Sequence, residues 1–144
     1  IVDDQLNHWL SQLRSKVGAT GKITVVADAC HSGGGSRGDE DESEYVVRGT
    51  SDAFVIPGNT KPFSGEVGTI DWIFISACKS YQCNYEYKGT GSLTYALGQQ
   101  KANLSSTPAQ QIQRSIRSTI ANIIPFTQTP VLEASVEGTQ QSLF

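Results

Sequence analysis

The sequence predicts an α/β fold of the layered-sheet type, and three observations carry the prediction. Two short β-rich runs, KITVVAD (residues 22–28) and TIDWIFISAC (69–78), have the length and composition of buried strands. Two segments, near residues 3–17 and 107–124, carry apolar residues at helical spacing, and a further helix is expected from about Ser92 to Gln100. Taken along the chain, the elements run helix, strand, long loop, strand, helix, helix, strand, the order of helices laid on a sheet.

Each element has its own local reason. In DDQLNHWLSQLRSKVG the residues Leu6, Trp9, Leu10, Leu13 and Val17 form one helical face, Asp3 and Asp4 sit at the amino end, and Gly18 is the stop, which predicts a surface helix. KITVVAD is bounded by Gly21 and a glycine cluster and reads as a buried strand. From Gly33 to about Gly68 the chain is rich in Gly, Ser, Asp, Glu and Pro, with only YVVR (45–48) and AFVI (53–56) as possible short strands, so a long loop is expected. A helix follows from Ser92 to Gln100. In TPAQQIQRSIRSTIANII, Thr107 and Gln110 are placed as a capping box, Pro108 takes the first helical position, and Ile112, Ile116, Ile120, Ile123 and Ile124 make one face. QTPVLEAS (128–135) reads as a short closing strand.

The bounds narrow the function classes. At 144 residues the chain has single-domain length, and 38% apolar residues suffice for a core. No apolar run approaches the roughly 18 residues of a membrane span, and IVDDQLNHWL has neither part of a secretory leader. Net charge is −3, with five of the 14 acids concentrated in DEDESE (39–44), and neither that run nor the nearly neutral remainder is a nucleic-acid footprint. Cysteines at 30, 78 and 83 lack the paired spacing of a zinc site and form no disulfide framework, so a reducing, cytoplasmic setting is expected.

Sites in α/β sheets gather at the carboxyl ends of strands. Cys30 falls there, beside HSGGG, where its own N–H and that of Gly33 can face a developing oxyanion and its thiolate can attack a carbonyl. The alternatives are a buried, inert thiol and a glycine-rich anion cradle. The latter lacks the lysine and hydroxyl of a nucleotide loop.

DACHSGG (28–34) resembles the nucleophile motif of the metacaspases and related bacterial caspase-like cysteine peptidases. ISACKSYQCNYEYKGTGSLTYAL is similar to their small-subunit signature, and QTPVLEASVEGTQQSLF to their closing segment. The resemblance spans most of the chain in order. It implies a caspase-like sheet with helices on both faces and a thiol endopeptidase acting through a Cys30 acyl-enzyme. It also implies an S1 pocket bordered by Asp28, Gln82 and Glu86 that selects Arg or Lys. Residues two apart on an extended segment share a side, so Asp28 and Cys30 can face one cleft. The alternative for Asp28 is a helix or turn cap.

The chain departs from the family at several places. Ser80 and Tyr81 stand where many relatives have two aspartates, Cys83 replaces a threonine, and Glu86 replaces the commoner aspartate. The catalytic histidine of the caspase pattern lies about 50 residues before the cysteine, and only 29 residues precede Cys30 here. His8 and His31 are poor substitutes. The expectation is therefore that residues 1–144 are the carboxyl-terminal part of one peptidase domain: 1–38 the end of the large-subunit-like region, 39–68 an inter-subunit loop, and 69–144 the small-subunit-like region. The expected partners are a peptide or protein substrate and the amino-terminal part of the same domain, with no nucleic acid or membrane. No cofactor is expected; calcium is conceivable in the family, but no residue here builds its site. Self-processing is expected after Arg48 or Arg37. A catalytically silent caspase-like interaction module is the alternative from another class.

Overall fold

A computed structural model of the protein describes residues 3–29, 45–48, 72–79 and 82–144. The expectations for Cys30, His31, Gly33, Arg37, the acidic run and AFVI lie outside these residues.

The fold is mixed α/β. Helix α1 (Asp3–Val17) leads to strand β1 (Thr24–Ala27), followed by β2 (Ile73–Ser76) and a hairpin of β3 (Glu86–Tyr87) and β4 (Thr90–Gly91). Helices α2 (Ser92–Gln99) and α3 (Ala109–Ile123), strand β5 (Val131–Glu133) and helix α4 (Val136–Gln140) complete it. The main sheet has the order β1-β2-β5. Strand β1 runs parallel to β2 in the register Thr24↔Ile73 to Ala27↔Ser76, and β5 runs antiparallel to β2 with Ile75 opposite Leu132.

Helix α1 ends as its sequence predicts. Gly18 adopts φ +75° and its N–H donates to the Arg14 carbonyl, a left-handed stop that suits glycine. The Arg14 guanidinium then donates to the carbonyls of Gly18 and Gly21, fixing the turn into β1. The face of α1 is only partly used: Leu10 is buried, whereas Trp9, Leu13 and Val17 are exposed.

The core lies between the sheet and the α2–α3 pair. Ile73, Ile75 and Ala77 meet Leu93 and Ala96 of α2 and Ile112, Ile116 and Ile120 of α3. The isoleucines on α3 recur every fourth residue and are almost fully enclosed, each contributing about 1.5–3 kcal/mol of burial. Strand β2, flanked on both sides, is buried at alternate positions. Strand β1 pairs with β2 alone among the described residues, and Val26 is exposed, contrary to a fully buried reading of KITVVAD.

Three local expectations change. Helix α3 starts one residue later than placed, with Pro108 as the N-cap and no side-chain capping bond. The orphan N–H of Ala109 instead donates to the Gln141 carbonyl at 2.7 Å, so the distant 141–144 segment does what the capping box was assigned. The β3–β4 hairpin has no counterpart among the elements expected from the sequence. It turns on Lys88 and Gly89, both at positive φ (52° and 72°), as a tight two-residue hairpin turn requires. Helix α4 was also unforeseen; Ser135 caps it by accepting from the Gly138 N–H at 3.0 Å. No described helix is long and apolar enough to cross a membrane.

Glu133 gives the fold a pH dependence. It stands opposite Phe74 on β5, and burial raises its carboxyl above the ordinary range. The folded state therefore holds this proton to higher pH than the unfolded chain. Stability is lost as pH rises from the unfolded pKa through the higher folded one. Glu133→Gln is expected to raise the melting temperature at neutral pH, with the gain shrinking as the pH falls through the carboxylate range. Melting curves across that range check the sign; a gain that grows on acidification contradicts it.

Candidate active site

The carboxyl end of β1 is held by a polar network that the sequence hid. Past Ala27 the pairing continues, the Ala77 N–H donating to the Ala27 carbonyl at 3.0 Å, and this delivers Asp28 to the amino end of α2. One carboxylate oxygen of Asp28 accepts from Asn84 Nδ2 at 2.7 Å. The other accepts from the Thr94 backbone N–H at 3.0 Å and from the Thr94 hydroxyl. Thr94 is the third residue of α2, whose N-cap Gly91 supplies no side-chain bond. Asp28 therefore caps α2 from another element, neutralising an orphan N–H and placing negative charge at the positive end of the helix.

This geometry explains the run TGSLTY in physical terms. Gly91 backs directly onto the Asp28 carboxylate, and a Cβ there would fall inside its van der Waals shell. Thr94 supplies two donors, and Ser92 joins the layer behind.

That layer is centred on Asn84, which is fully buried. Its Oδ1 accepts from the Ser92 hydroxyl at 3.1 Å and from Gln128 Nε2 at 2.9 Å. Gln128 Nε2 also lies 3.0 Å from the Ala77 carbonyl and 2.6 Å from Ser92 Oγ, and Gln128 Oε1 accepts from the Tyr85 N–H at 3.3 Å. Asp28, Asn84, Ser92 and Gln128 thus form one connected chain of hydrogen bonds across the ends of β1 and β2, dry enough that each missing partner is costly.

The other expected pocket residues flank this network. Gln82 pins its loop to the segment before β5: Oε1 accepts from the N–H groups of Thr129 at 2.9 Å and Lys79 at 3.3 Å, and Nε2 donates to Thr129 Oγ1 at 3.2 Å. Cys78 is buried and donates its thiol to the Gln82 carbonyl. Glu86 is half-buried on β3 with a carboxylate oxygen 3.8 Å from the Arg48 guanidinium. Backbone bonds from Arg48 N–H to the Asn84 carbonyl and from Glu86 N–H to the Val46 carbonyl lay YVVR antiparallel to residues 84–86. This is one of the two short extended runs foreseen in the loop, formed as a bridge. Tyr85 stacks on Phe126, with Tyr45 edge-on to the same ring.

The structure thus brings Asp28 to the segment between Gln82 and Glu86 and sets Arg48 beside Glu86. His8 faces solvent on α1, within hydrogen-bond distance of Gln12. Sequence reasoning missed Asn84, Ser92, Thr94 and Gln128 as site residues, although all four lie in motifs already singled out. The available signal was a set of small polar residues at the ends of apolar runs. Compared with models of known protein families and with curated proteins, the chain matches none.

Proposed function

We propose that the chain is the carboxyl-terminal part of a caspase-like cysteine endopeptidase that cleaves after Arg or Lys through a Cys30 acyl-enzyme. One observation carries the reading. The segment that continues into Cys30 leaves a sheet strand at its carboxyl end, and its acid, Asp28, is anchored on the Gly91–Thr94 turn, so two separate motifs of the resemblance meet in one place.

In this reading Cys30 attacks the scissile carbonyl, and the N–H groups of Cys30 and Gly33 stabilise the oxyanion. Asp28 spends three acceptor positions on Asn84 and Thr94. A carboxylate offers about four, which leaves one for a substrate guanidinium or ammonium, with Glu86 adding negative charge nearby. The general base is a histidine from upstream sequence, whose strand joins the edge of β1 that has no partner among the described residues. No cofactor takes part. Self-processing falls after Arg48 or Arg37; Arg48 must first detach from residues 84–86.

Labelling tests the proposal. Incubation of the full-length protein with an arginyl chloromethyl ketone peptide is expected to add one inhibitor mass at Cys30, located by peptide mass spectrometry. The Cys30→Ala protein should gain none. The 144-residue chain alone, without the upstream histidine that in this reading activates the thiol, should label far more slowly. Label on Cys78 or Cys83 with Cys30 unmodified, or none on the full-length protein, overturns the reading.

A further inference from the structure

Residues 84–86 offer backbone hydrogen-bonding groups to two sides. On one side the Tyr85 carbonyl accepts from the Ser92 N–H, and the Tyr85 N–H donates to Gln128 Oε1. On the other, the Asn84 carbonyl and the Glu86 N–H face residues 45–48. The Arg48 N–H donates to the Asn84 carbonyl at 2.8 Å, the Glu86 N–H donates to the Val46 carbonyl at 2.7 Å, and Val47 stands opposite Tyr85. An extended peptide adds to a strand edge in this way.

The side chains of this occupant meet matching groups. Residues two apart on an extended segment share a face, so Tyr45 and Val47 fall on the Tyr85 side, and Val46 and Arg48 on the side of Asn84 and Glu86. The Tyr45 ring is edge-on to Phe126 with centroids 6.0 Å apart, and the Arg48 guanidinium is 3.8 Å from the Glu86 carboxylate. Yet the occupant is lightly held. Its central side chains, Val46 and Val47, are 58% and 46% exposed, and a long, part-exposed ion pair contributes little.

We propose that this edge is a docking strand for extended peptides with an aromatic residue three positions before an arginine, and that residues 45–48 are a resident occupant which such a peptide displaces. The docked peptide takes the same two backbone bonds, packs its aromatic ring on Phe126 and sets its arginine beside Glu86. Docking requires neither Cys30 nor an upstream histidine; that the docked peptide is then cut after its arginine rests on the peptidase reading.

Fluorescein-labelled, amidated Tyr-Val-Val-Arg, titrated with the 144-residue chain and followed by anisotropy, tests the proposal. Arg48→Pro removes both the N–H that bonds Asn84 and the cation that pairs with Glu86. It should raise affinity about tenfold or more, because an internal occupant hides the site in proportion to its own population. Tyr45→Ala, which strips the occupant's ring from Phe126, should act in the same direction. In the Arg48→Pro background, Glu86→Lys should weaken binding by at least about tenfold, the worth of one charge-assisted contact. Ala-Val-Val-Arg should bind less tightly than Tyr-Val-Val-Arg, a difference that Phe126→Ala abolishes. No saturable binding to either the Arg48→Pro or the Tyr45→Ala chain, or an affinity indifferent to both Glu86→Lys and the aromatic residue of the peptide, overturns the proposal. The two readings fail separately. Docking as expected, with no cleavage of the same peptides by the full-length protein, removes the peptidase reading alone. Cleavage after arginine that ignores the residue three positions before it and is unchanged by Arg48→Pro removes the docking strand alone.

Discussion

Replacing Asp28 with Asn is expected to leave the protein folded while cutting kcat/KM for substrates with Arg at P1 by roughly 30-fold to several thousand-fold, the effect of about 2–5 kcal/mol for a desolvated charge left without its partner. The two roles of Asp28 make this substitution informative. As the cap of α2 it needs an oxygen facing the Thr94 N–H and hydroxyl, and asparagine caps as well as aspartate does. The amide keeps that oxygen but turns its NH2 toward the buried Asn84 NH2, donor against donor, which costs about 1–3 kcal/mol. As a specificity residue it needs the charge, which asparagine lacks. Kinetics on matched peptides with Arg, Lys and Gln at P1, beside urea unfolding of the same variant, separate the roles. A wholly structural aspartate gives rates on Arg and Gln peptides that fall together, in step with stability. The proposed pocket gives a loss confined to the cationic substrates.

How far the sequence reveals this fold depends on the range over which each element is decided. Helix α1 and helix α3 announce themselves because their apolar residues recur with the helical period, and Gly18 ends the first for a reason internal to one residue. Strand β2 is legible for the same local reason. The start of α3 was misplaced because its first N–H is met by Gln141, more than 30 residues away, and no window around Thr107 contains that fact. The β3–β4 hairpin has two-residue strands, too short for any period to show. The buried network is hardest of all to see. Asn84, Ser92 and Gln128 are ordinary surface residue types, and only packing on the ends of β1 and β2 makes them interior. Asp28 shows both sides: its place before Cys30 is visible in the letters, whereas its capping of a helix 66 residues later is a property of the fold alone.

That network yields the second large effect, on stability. Asn84→Ala is expected to destabilise the chain by about 3 kcal/mol, at the high end for a single substitution. Asn84 has no solvent exposure, and its amide serves three side chains at once. Alanine leaves an Asp28 oxygen and the Ser92 hydroxyl proton without their partner in an enclosed space, while the Gln128 amide keeps the Ala77 carbonyl and Ser92 Oγ as acceptors, and each such loss costs more than the bond itself gained. A truncation cavity adds to the cost. Because Gln128 serves the same groups, removing it second should cost less than removing it first: the Asn84→Ala, Gln128→Ala double variant should fall short of the sum of the singles by about 1 kcal/mol or more. Urea denaturation of the four proteins measures both quantities. A loss below about 1 kcal/mol for Asn84→Ala, or strict additivity of the two, would mean that these bonds act separately and that the ends of β1 and β2 are held by the isoleucine core alone.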